Sequence, residues 1–260
     1  MTGYTPAEMM TVTAARLVKD GTVCFVGIGL PSAAANLARR THAPDAVLIY
    51  ESGTIGCKPD VLPLSIGDGE LAETADAVVP VPEIFRYWLQ GGRVDVGFLS
   101  AAQIDRFANI NTTVIGPYDK PKTRLPGAGG APEIASSAKE VFIVLRQSPR
   151  AFVAKLDFVT SAGHLAGGDA RARSGARGAG PTVVITDLCV MKPDPVTKEL
   201  TLVSVHPGVT AEQVKAQTGW DLKVAPNLAT TPAPEAAELS VLRELHARTA
   251  KAHGSAAGEG

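Results

Sequence analysis

Cysteine is scarce in this sequence. Cys24, Cys57 and Cys189 are odd in number and widely spaced along 260 residues, which argues against a disulfide framework and fits a reducing cytoplasm. No cysteine pair has metal-ligand spacing, and His42, His164, His206, His246 and His253 show no HExxH pattern, so no metal is expected. Charge of one sign is lacking too. Lys and Arg number 25 against 26 Asp and Glu, which leaves no electrostatic footprint for nucleic acid. No run reaches the ~18 apolar residues that cross a bilayer, so no membrane association is expected. The opening MTGYTPAEMM has neither the basic segment nor the apolar core of a secretory signal. Neither a GxSxG elbow nor a Walker loop occurs.

What is present is enough apolar residue for a core, 45% of the chain, in a length ordinary for one α/β domain. One stretch stands out, Ala46-Val-Leu-Ile-Tyr-Glu51-Ser-Gly-Thr-Ile-Gly56. Ala46 to Tyr50 has the composition of a strand buried on both faces. It runs into a carboxylate and then into Gly53 and Gly56, residues that permit positive φ and close backbone approach. In open α/β sheets, ligands bind beyond the carboxyl ends of the strands, so Glu51 stands where a reactive group is useful. Taken alone, Glu51 also reads as a solvated residue that punctuates a strand.

Around this stretch the chain alternates. Thr5-Pro-Ala-Glu8 caps a helix expected to run to about Asp20. Val23 to Val26 reads as a strand closed by Gly27-Ile-Gly29-Leu-Pro31, and Ser32 as the cap of an Ala-rich helix to about Arg40. The Gly27–Gly29 turn lacks the third glycine of a dinucleotide fingerprint, which argues against a nicotinamide cofactor. A loop over 58–69, a strand over Ala72–Val79, and a helix over Pro82–Gln90 with Ile84, Phe85, Trp88 and Leu89 on one packing face come next. Further strands are expected at Val94–Leu99, Val141–Leu145, Thr182–Thr186 and Leu200–Val205, with a short helix over Ala131–Ala138. Ser161–Gly180 reads as a long mobile loop whose Arg171, Arg173 and Arg177 either bind an anion or are solvated. Thr210-Ala-Glu-Gln213 is a capping box. A closing helix over Pro234–Ala250 precedes a tail, 253–260, expected to be disordered. The order predicts an α/β fold, an open and mostly parallel sheet with helices on both faces, as a single domain over residues 1–252.

Taken in order, Glu51-Ser-Gly53, Ala102-Gln-Ile-Asp105, Asn109 and Asn111, Lys120-Pro-Lys-Thr-Arg124 and Gly127-Ala-Gly129-Gly130 resemble the B subunit of family I CoA-transferases, the glutaconate CoA-transferases in particular. The resemblance implies a fold of the CoA-transferase and ribose-phosphate-isomerase kind, and a ping-pong transfer of CoA from an acyl-CoA to a carboxylic acid. It makes Glu51 the nucleophile and Gly129 the main oxyanion donor. It places Gly27, Gly29, Ser52, Gly53, Gln103, Gly127 and Gly130 against substrate or CoA. Coenzyme A is then a co-substrate with no permanently bound cofactor, and the partner is an A subunit in an A2B2 or larger assembly. The acid is implied to be a dicarboxylate such as glutaconate, or a 3-oxoacid. Acyl-CoA hydrolase and decarboxylase are rivals within the family; a sugar-phosphate isomerase or a ligand-binding regulatory module is the rival outside it. At one point the chain departs from its relatives: Ala108 stands where they carry glycine before an asparagine, which speaks against a positive-φ turn there.

Overall fold

A computed structural model describes residues 3–254. The chain divides into two compact units: residues up to Phe98 joined by those from Ala233 on, and Leu99–Pro232.

In the first unit, α1 (Pro6–Ala15) begins as expected. Thr5 accepts from the Glu8 amide at 3.1 Å and donates its own amide to the Glu8 carboxylate at 2.7 Å, the reciprocal cap that satisfies two orphan donors. The helix stops at Ala15 rather than near Asp20, because the Leu17 and Val18 amides turn back to carbonyls three residues away, a tightening that closes helices. Strand β1 (Val23–Phe25), helix α2 (Leu30–Arg40) and strand β2 (Val47–Ile49) form a parallel crossover with Phe25 level with Ile49. Gly29, not Ser32, is the cap of α2. Ser32 is instead buried with its hydroxyl 2.9 Å from that of Tyr50.

Strand β2 turns back into β3 (Thr54–Ile55), which pairs antiparallel with β4 (Ala77–Val78). The strand expected over Ala72–Val79 is therefore mostly absent. Asp68 caps α3 (Gly69–Glu73) by accepting from the Glu70 amide, so Ala72 and Glu73 are helical. After α4 (Val81–Glu83) the chain widens into a π-helical turn over Ile84–Leu89, with the Gln90 amide reaching Phe85. Residues five apart then share a face, so Ile84 and Leu89 are buried while Phe85 and Trp88 are only half-buried. Strand β5 (Val96–Leu99) pairs parallel with the other side of β1.

The C-terminal helix, Ala236–His253, belongs to this first unit and buries Leu239, Leu242 and Leu245. It runs three residues past the expected end, and 255–260 of the expected tail lie outside the described residues. Two ion pairs clamp it to the N-terminal segment. Arg16 meets Glu238 at 2.6 and 2.7 Å, and Arg243 meets Glu8 at 2.6 Å. The Arg243 guanidinium holds the Glu8 carboxyl below its ordinary value near 4.5. Burial pushes Glu238 up, but Arg16 and the Glu235 amide outweigh it and the net shift is also downward. A carboxylate with a depressed folded pKa stabilises fully above its unfolded value, and that contribution is lost as pH falls through the folded one. Acid unfolding should therefore steepen below pH 4.5, and Glu8→Gln with Glu238→Gln should flatten that limb in a Tm-against-pH series. An unchanged limb in the double variant would show that other carboxylates set it.

The second unit carries two small hairpins, β6 (Gln103–Ile104) with β7 (Ile110–Asn111) and β8 (Val114–Ile115) with β9 (Thr123–Arg124). Helix α5 (Ala131–Ser137) leads into β10 (Glu140–Val144). After α6 (Ala170–Arg173), β11 (Pro181–Ile185) runs parallel to β10, followed by antiparallel β12 (Cys189–Pro193) and β13 (Leu200–Val205). Helix α7 (Ala211–Ala216) precedes β14 (Lys223–Thr230), which pairs parallel to β13. Parallel pairs joined through helices are the α/β arrangement expected. Strand β14 contains Pro226 and is largely exposed; proline is tolerated on such an outer strand because the ladder needs no donor on its open side.

The Ser161–Gly180 segment is neither open nor structureless. It contains α6, and Arg171 is buried at 6% exposure. Its guanidinium donates to the carbonyls of Gly178, Gly163 and Ala135 at 3.0, 3.0 and 2.6 Å. Arg171 is thus a structural strut rather than an anion ligand, and Arg173 pairs with Asp169 at 2.7 Å on the surface. Ala108 also departs from expectation. It holds φ 57 although it is not glycine, because Asn109 fixes the turn around it. The Asn109 side chain donates to Asp105 and to the Leu165 carbonyl, and accepts from the Gly163 and Leu165 amides. Four hydrogen bonds outweigh the ~1–2 kcal/mol of a left-handed alanine.

Candidate active site

Glu51 and Ser52 occupy the two central positions of the tight turn that joins β2 to β3. The Gly53 amide donates to the Tyr50 carbonyl at 3.1 Å, and the Tyr50 amide to Thr54 at 3.1 Å. Gly53 has φ 107, and its amide plane is locked to the next strand by the Val79 amide at 2.9 Å. A Cβ there would lie 2.0 Å from the Val79 carbonyl oxygen, so only glycine lets the turn sit this close. Beneath the turn, Tyr50 is fully buried. Burial pushes its phenol up to about 12, so it remains a neutral hydrogen-bonded prop against Ser32.

Glu51 itself is partly exposed, and its carboxylate has no hydrogen bond or ion pair among the described residues. The Ser52 hydroxyl is shielded from solvent yet has no partner among them, an unusual state for a buried polar atom. Gly27 and Gly29 leave β1 at the same level, since Phe25 is in register with Ile49 and the Val26 amide still reaches the Ile49 carbonyl at 2.9 Å. The first unit therefore gathers Gly27, Gly29, Glu51, Ser52 and Gly53 at the carboxyl ends of two adjacent parallel strands, where α/β sheets hold their ligands. Cys57 is no rival nucleophile. It is fully buried, its thiol donates to the Leu71 carbonyl, and burial pushes its pKa up.

The second unit holds the other motif residues. Gly127 prolongs the β8–β9 hairpin: its amide donates to Thr112 at 2.8 Å and its carbonyl accepts the Thr112 hydroxyl at 2.7 Å. Beyond this anchor the amides of Ala128, Gly129 and Gly130 donate to no acceptor among the described residues, and Gly130 opens α5. Consecutive free amides ahead of a helix are a concavity for negative charge. Thr112, which no sequence motif marks, ties this loop in place.

Gln103 is almost wholly buried, and its amide is already engaged. It donates to Asp157 at 2.9 Å and accepts from Asn111 at 2.7 Å and the Asp157 amide at 3.2 Å. Asn111 and Asn109 are likewise spent on internal hydrogen bonds, which makes these motif residues framework. Burial pushes the Asp105 carboxyl up against the pull of its Asn109 and Phe107 hydrogen bonds. His164 and His206, both buried, bond to the carbonyls of Pro181 and Thr186. Among the described residues no helix is long and apolar enough to cross a membrane.

The sequence model of the coenzyme A transferase family matches residues 7–217. The B subunit of the 3-oxoadipate CoA-transferase of Pseudomonas knackmussii is 66% identical over 259 residues, all of both chains. The B subunit of the glutaconate CoA-transferase of Acidaminococcus fermentans is 38% identical, covering 94% of this chain and 92% of its own. The crystal structure of glutaconate coenzyme A-transferase from that organism superposes with a TM-score of 0.88 at 37% identity, covering 94% of this chain and 95% of its own.

Proposed function

This chain belongs to the family I coenzyme A transferases as a B subunit, and from that membership we propose that it acts on a short dicarboxylic acid, 3-oxoadipate in the first instance. The 66% relative is named for 3-oxoadipate and the 38% relative for glutaconate, both dicarboxylates. That difference in similarity supports the 3-oxoacid over glutaconate. The chain works with an A-type subunit, in an A2B2 or larger assembly. Its three free, buried cysteines support a reducing, cytoplasmic setting. The family match spans both compact units, which supports their working as one CoA-transferase domain.

The observation that carries the chemistry is the carboxylate of Glu51, unpartnered at the tip of a rigid turn on the carboxyl edge of the strands. In the proposed reaction a Glu51 oxygen attacks the thioester carbonyl of the donor. The C–S bond breaks, CoA thiolate leaves, and an acyl-glutamyl anhydride forms. The thiolate then attacks the glutamyl carbonyl, which releases the donor's acid and leaves a glutamyl-CoA thioester. An incoming carboxylate reverses these steps. A carboxylate suits both halves because it serves first as nucleophile and then as leaving group. The Gly129 amide, with those of its neighbours, donates to the oxyanion, a role worth ~3 kcal/mol per donor in acyl transfer. Gly127 and Gly130, which flank Gly129 in the same loop, are assigned to substrate or CoA. Ser52 lines the acyl group beside Glu51, and Gly27, Gly29 and Gly53 admit the substrate close to the backbone. Gln103 acts as a positioning residue through Asp157 and Asn111.

The test is to incubate the assembled A–B enzyme with 3-oxoadipyl-CoA and no acceptor, then reduce with borohydride. Inactivation that depends on the acyl-CoA, with the mass change on the peptide holding Glu51, is expected. Steady CoA release without acceptor, at the rate seen with one, would mean hydrolysis instead. A second expectation concerns the turn. Gly53→Ala must push the chain off the Val79 carbonyl and so displace Glu51; a shift of about 1 Å costs on the order of 10²-fold in rate. Measured kcat should fall by that order, and an unaltered kcat would show that the turn does not position the nucleophile.

A further inference from the structure

Helix α2 carries two polar side chains that its packing does not need. Its buried residues are otherwise alanine, leucine and proline, yet Ser32 and Asn36 are fully buried among them. Four residues apart, they share one face of the helix. That face meets Tyr50, the residue immediately before Glu51. The Ser32 and Tyr50 hydroxyls lie 2.9 Å apart, and the Asn36 amide braces Ser32 by donating to its carbonyl at 3.0 Å and its hydroxyl at 3.4 Å. Phenylalanine opposite apolar residues would fill the same place with no polar group to desolvate. The polar set even leaves the Asn36 Oδ1 without a partner among the described residues, which costs stability at a buried position. What the hydroxyl pair adds is direction. A hydrogen bond of fixed length and angle sets where two elements stand, which apolar contact does not.

Both elements lead to the nucleophile's edge of the sheet. Ser32 stands in the first turn of α2, next to Ala33, whose amide bonds to the Gly29 carbonyl at 3.0 Å. The contact with Tyr50 therefore starts from the segment that carries Gly27 and Gly29. Tyr50 is the base of the Glu51 turn: its carbonyl accepts from Gly53 and its amide donates to Thr54, both at 3.1 Å. On its other flank the turn is held by main chain, where the Val79 amide reaches the Gly53 carbonyl at 2.9 Å. The turn is thus gripped from two sides, by backbone next to β4 and by a phenol bonded to α2. A turn held at one flank can pivot; one held at both presents its tip at a fixed height and direction.

We infer that Tyr50 and Ser32 are positioning residues for the reaction, their hydroxyl pair fixing the Glu51 turn against the Gly27–Gly29 loop, with Asn36 holding Ser32 in place. The assignment rests on Glu51 as the nucleophile of CoA transfer. Both hydroxyls are buried and act through the backbone of the turn. Burial pushes the phenol up to about 12, so it keeps its proton across the working range and the lock does not vary with pH. A nucleophile that wanders is at attack distance less often, which slows acylation and leaves ground-state binding of the thioester alone.

The test uses the assembled A–B enzyme with 3-oxoadipyl-CoA as donor. Tyr50→Phe keeps the ring and removes its hydroxyl; Ser32→Ala removes the partner. Each should lower kcat about tenfold with KM unchanged, less than the ~10²-fold of an outright 1 Å displacement. The double variant separates position from mere structure. Removing both partners of a buried hydrogen bond restores most of the stability lost with one, so its Tm should return toward wild type while kcat stays about tenfold down. The two losses should not multiply, because they break the same contact. Recovery of kcat together with Tm, losses that multiply, or a loss carried by KM would overturn the assignment. Hydrogen exchange gives a readout apart from activity: the Gly53 and Tyr50 amides should exchange about tenfold faster in Tyr50→Phe. Exchange at the wild-type rate would likewise overturn it. If the wild-type assembly transfers CoA from no donor, the transferase reading fails, and exchange at these two amides decides the lock by itself.

Discussion

Glu51→Ala should reduce CoA transfer by at least about 10⁴-fold, the scale seen when a covalent nucleophile is deleted, while leaving the fold intact. The side chain is partly exposed and makes no hydrogen bond among the described residues, so its loss should change stability by no more than ~0.5 kcal/mol. Glu51→Asp is the sharper variant. It keeps the carboxylate and withdraws it by one methylene, and that displacement alone should cost on the order of 10²-fold. Transfer assays with the A subunit, run beside thermal melts, separate the two effects. Near-normal transfer by Glu51→Ala would remove the covalent mechanism altogether. A large drop in Tm would instead make Glu51 part of the turn's framework.

Arg171→Met should be the most damaging substitution to stability. The guanidinium donates to the buried carbonyls of Ala135 and Gly163, to that of half-buried Gly178, and at 3.4 Å to that of Ala162, and methionine fills much of its volume without offering a donor. Hydrogen bonds from a charged group contribute ~1.5–3 kcal/mol each, but strongly coupled bonds do not add in full. A loss of about 3–5 kcal/mol is therefore expected, or ~10 °C in Tm for a chain of this size. Burial depresses the Arg171 pKa, yet an arginine stays charged under any working condition. These carbonyls supply the compensation that a carboxylate would otherwise give. A denaturant titration showing a loss below ~1 kcal/mol would return Arg171 to the role of a ligand-binding side chain.

These two residues also mark what can be read from a sequence. The turn that carries Glu51 was legible because its signal is local: a buried strand, a carboxylate, then glycine, all within the residues that build it. Thr5-Pro-Ala-Glu8 and Thr210-Ala-Glu-Gln213 were legible for the same reason, and both capping boxes form. Arg171 was not, because its acceptors come from segments 36 and 8 residues away, at Ala135 and Gly163, and carbonyls carry no mark in a sequence. The Asp68 cap of α3 was a local signal that the β-like run after it concealed. Pro226 hid β14, since a proline argues against a strand until the strand is known to be an outer one. At Ala108 the missing glycine pointed away from a left-handed turn, and the Asn109 network overrode that local preference. Gln103 and Asn111 were legible as motif residues, but their motif serves to hold the hairpin through Asp157.

The pairing of both chain ends within one unit bears on how the protein is made. Arg16 waits for Glu238, 222 residues later, and the Leu62 amide for the Thr249 hydroxyl, 187 residues later. Leu99–Pro232, by contrast, is contiguous. During synthesis from the N-terminus, that contiguous stretch leaves the ribosome with all its own strands before the first unit has its last helix. At ~5–20 residues per second the opening segment spends more than about ten seconds without its closing partner. Its buried helix α1 and the Glu51 turn are exposed to other chains throughout that interval. Contacts of such long sequence separation are slow to form and favour aggregation while they are open. A stalled chain ending before Ala236 should accordingly protect Leu99–Pro232 from protease first, and the segment bearing the nucleophile last.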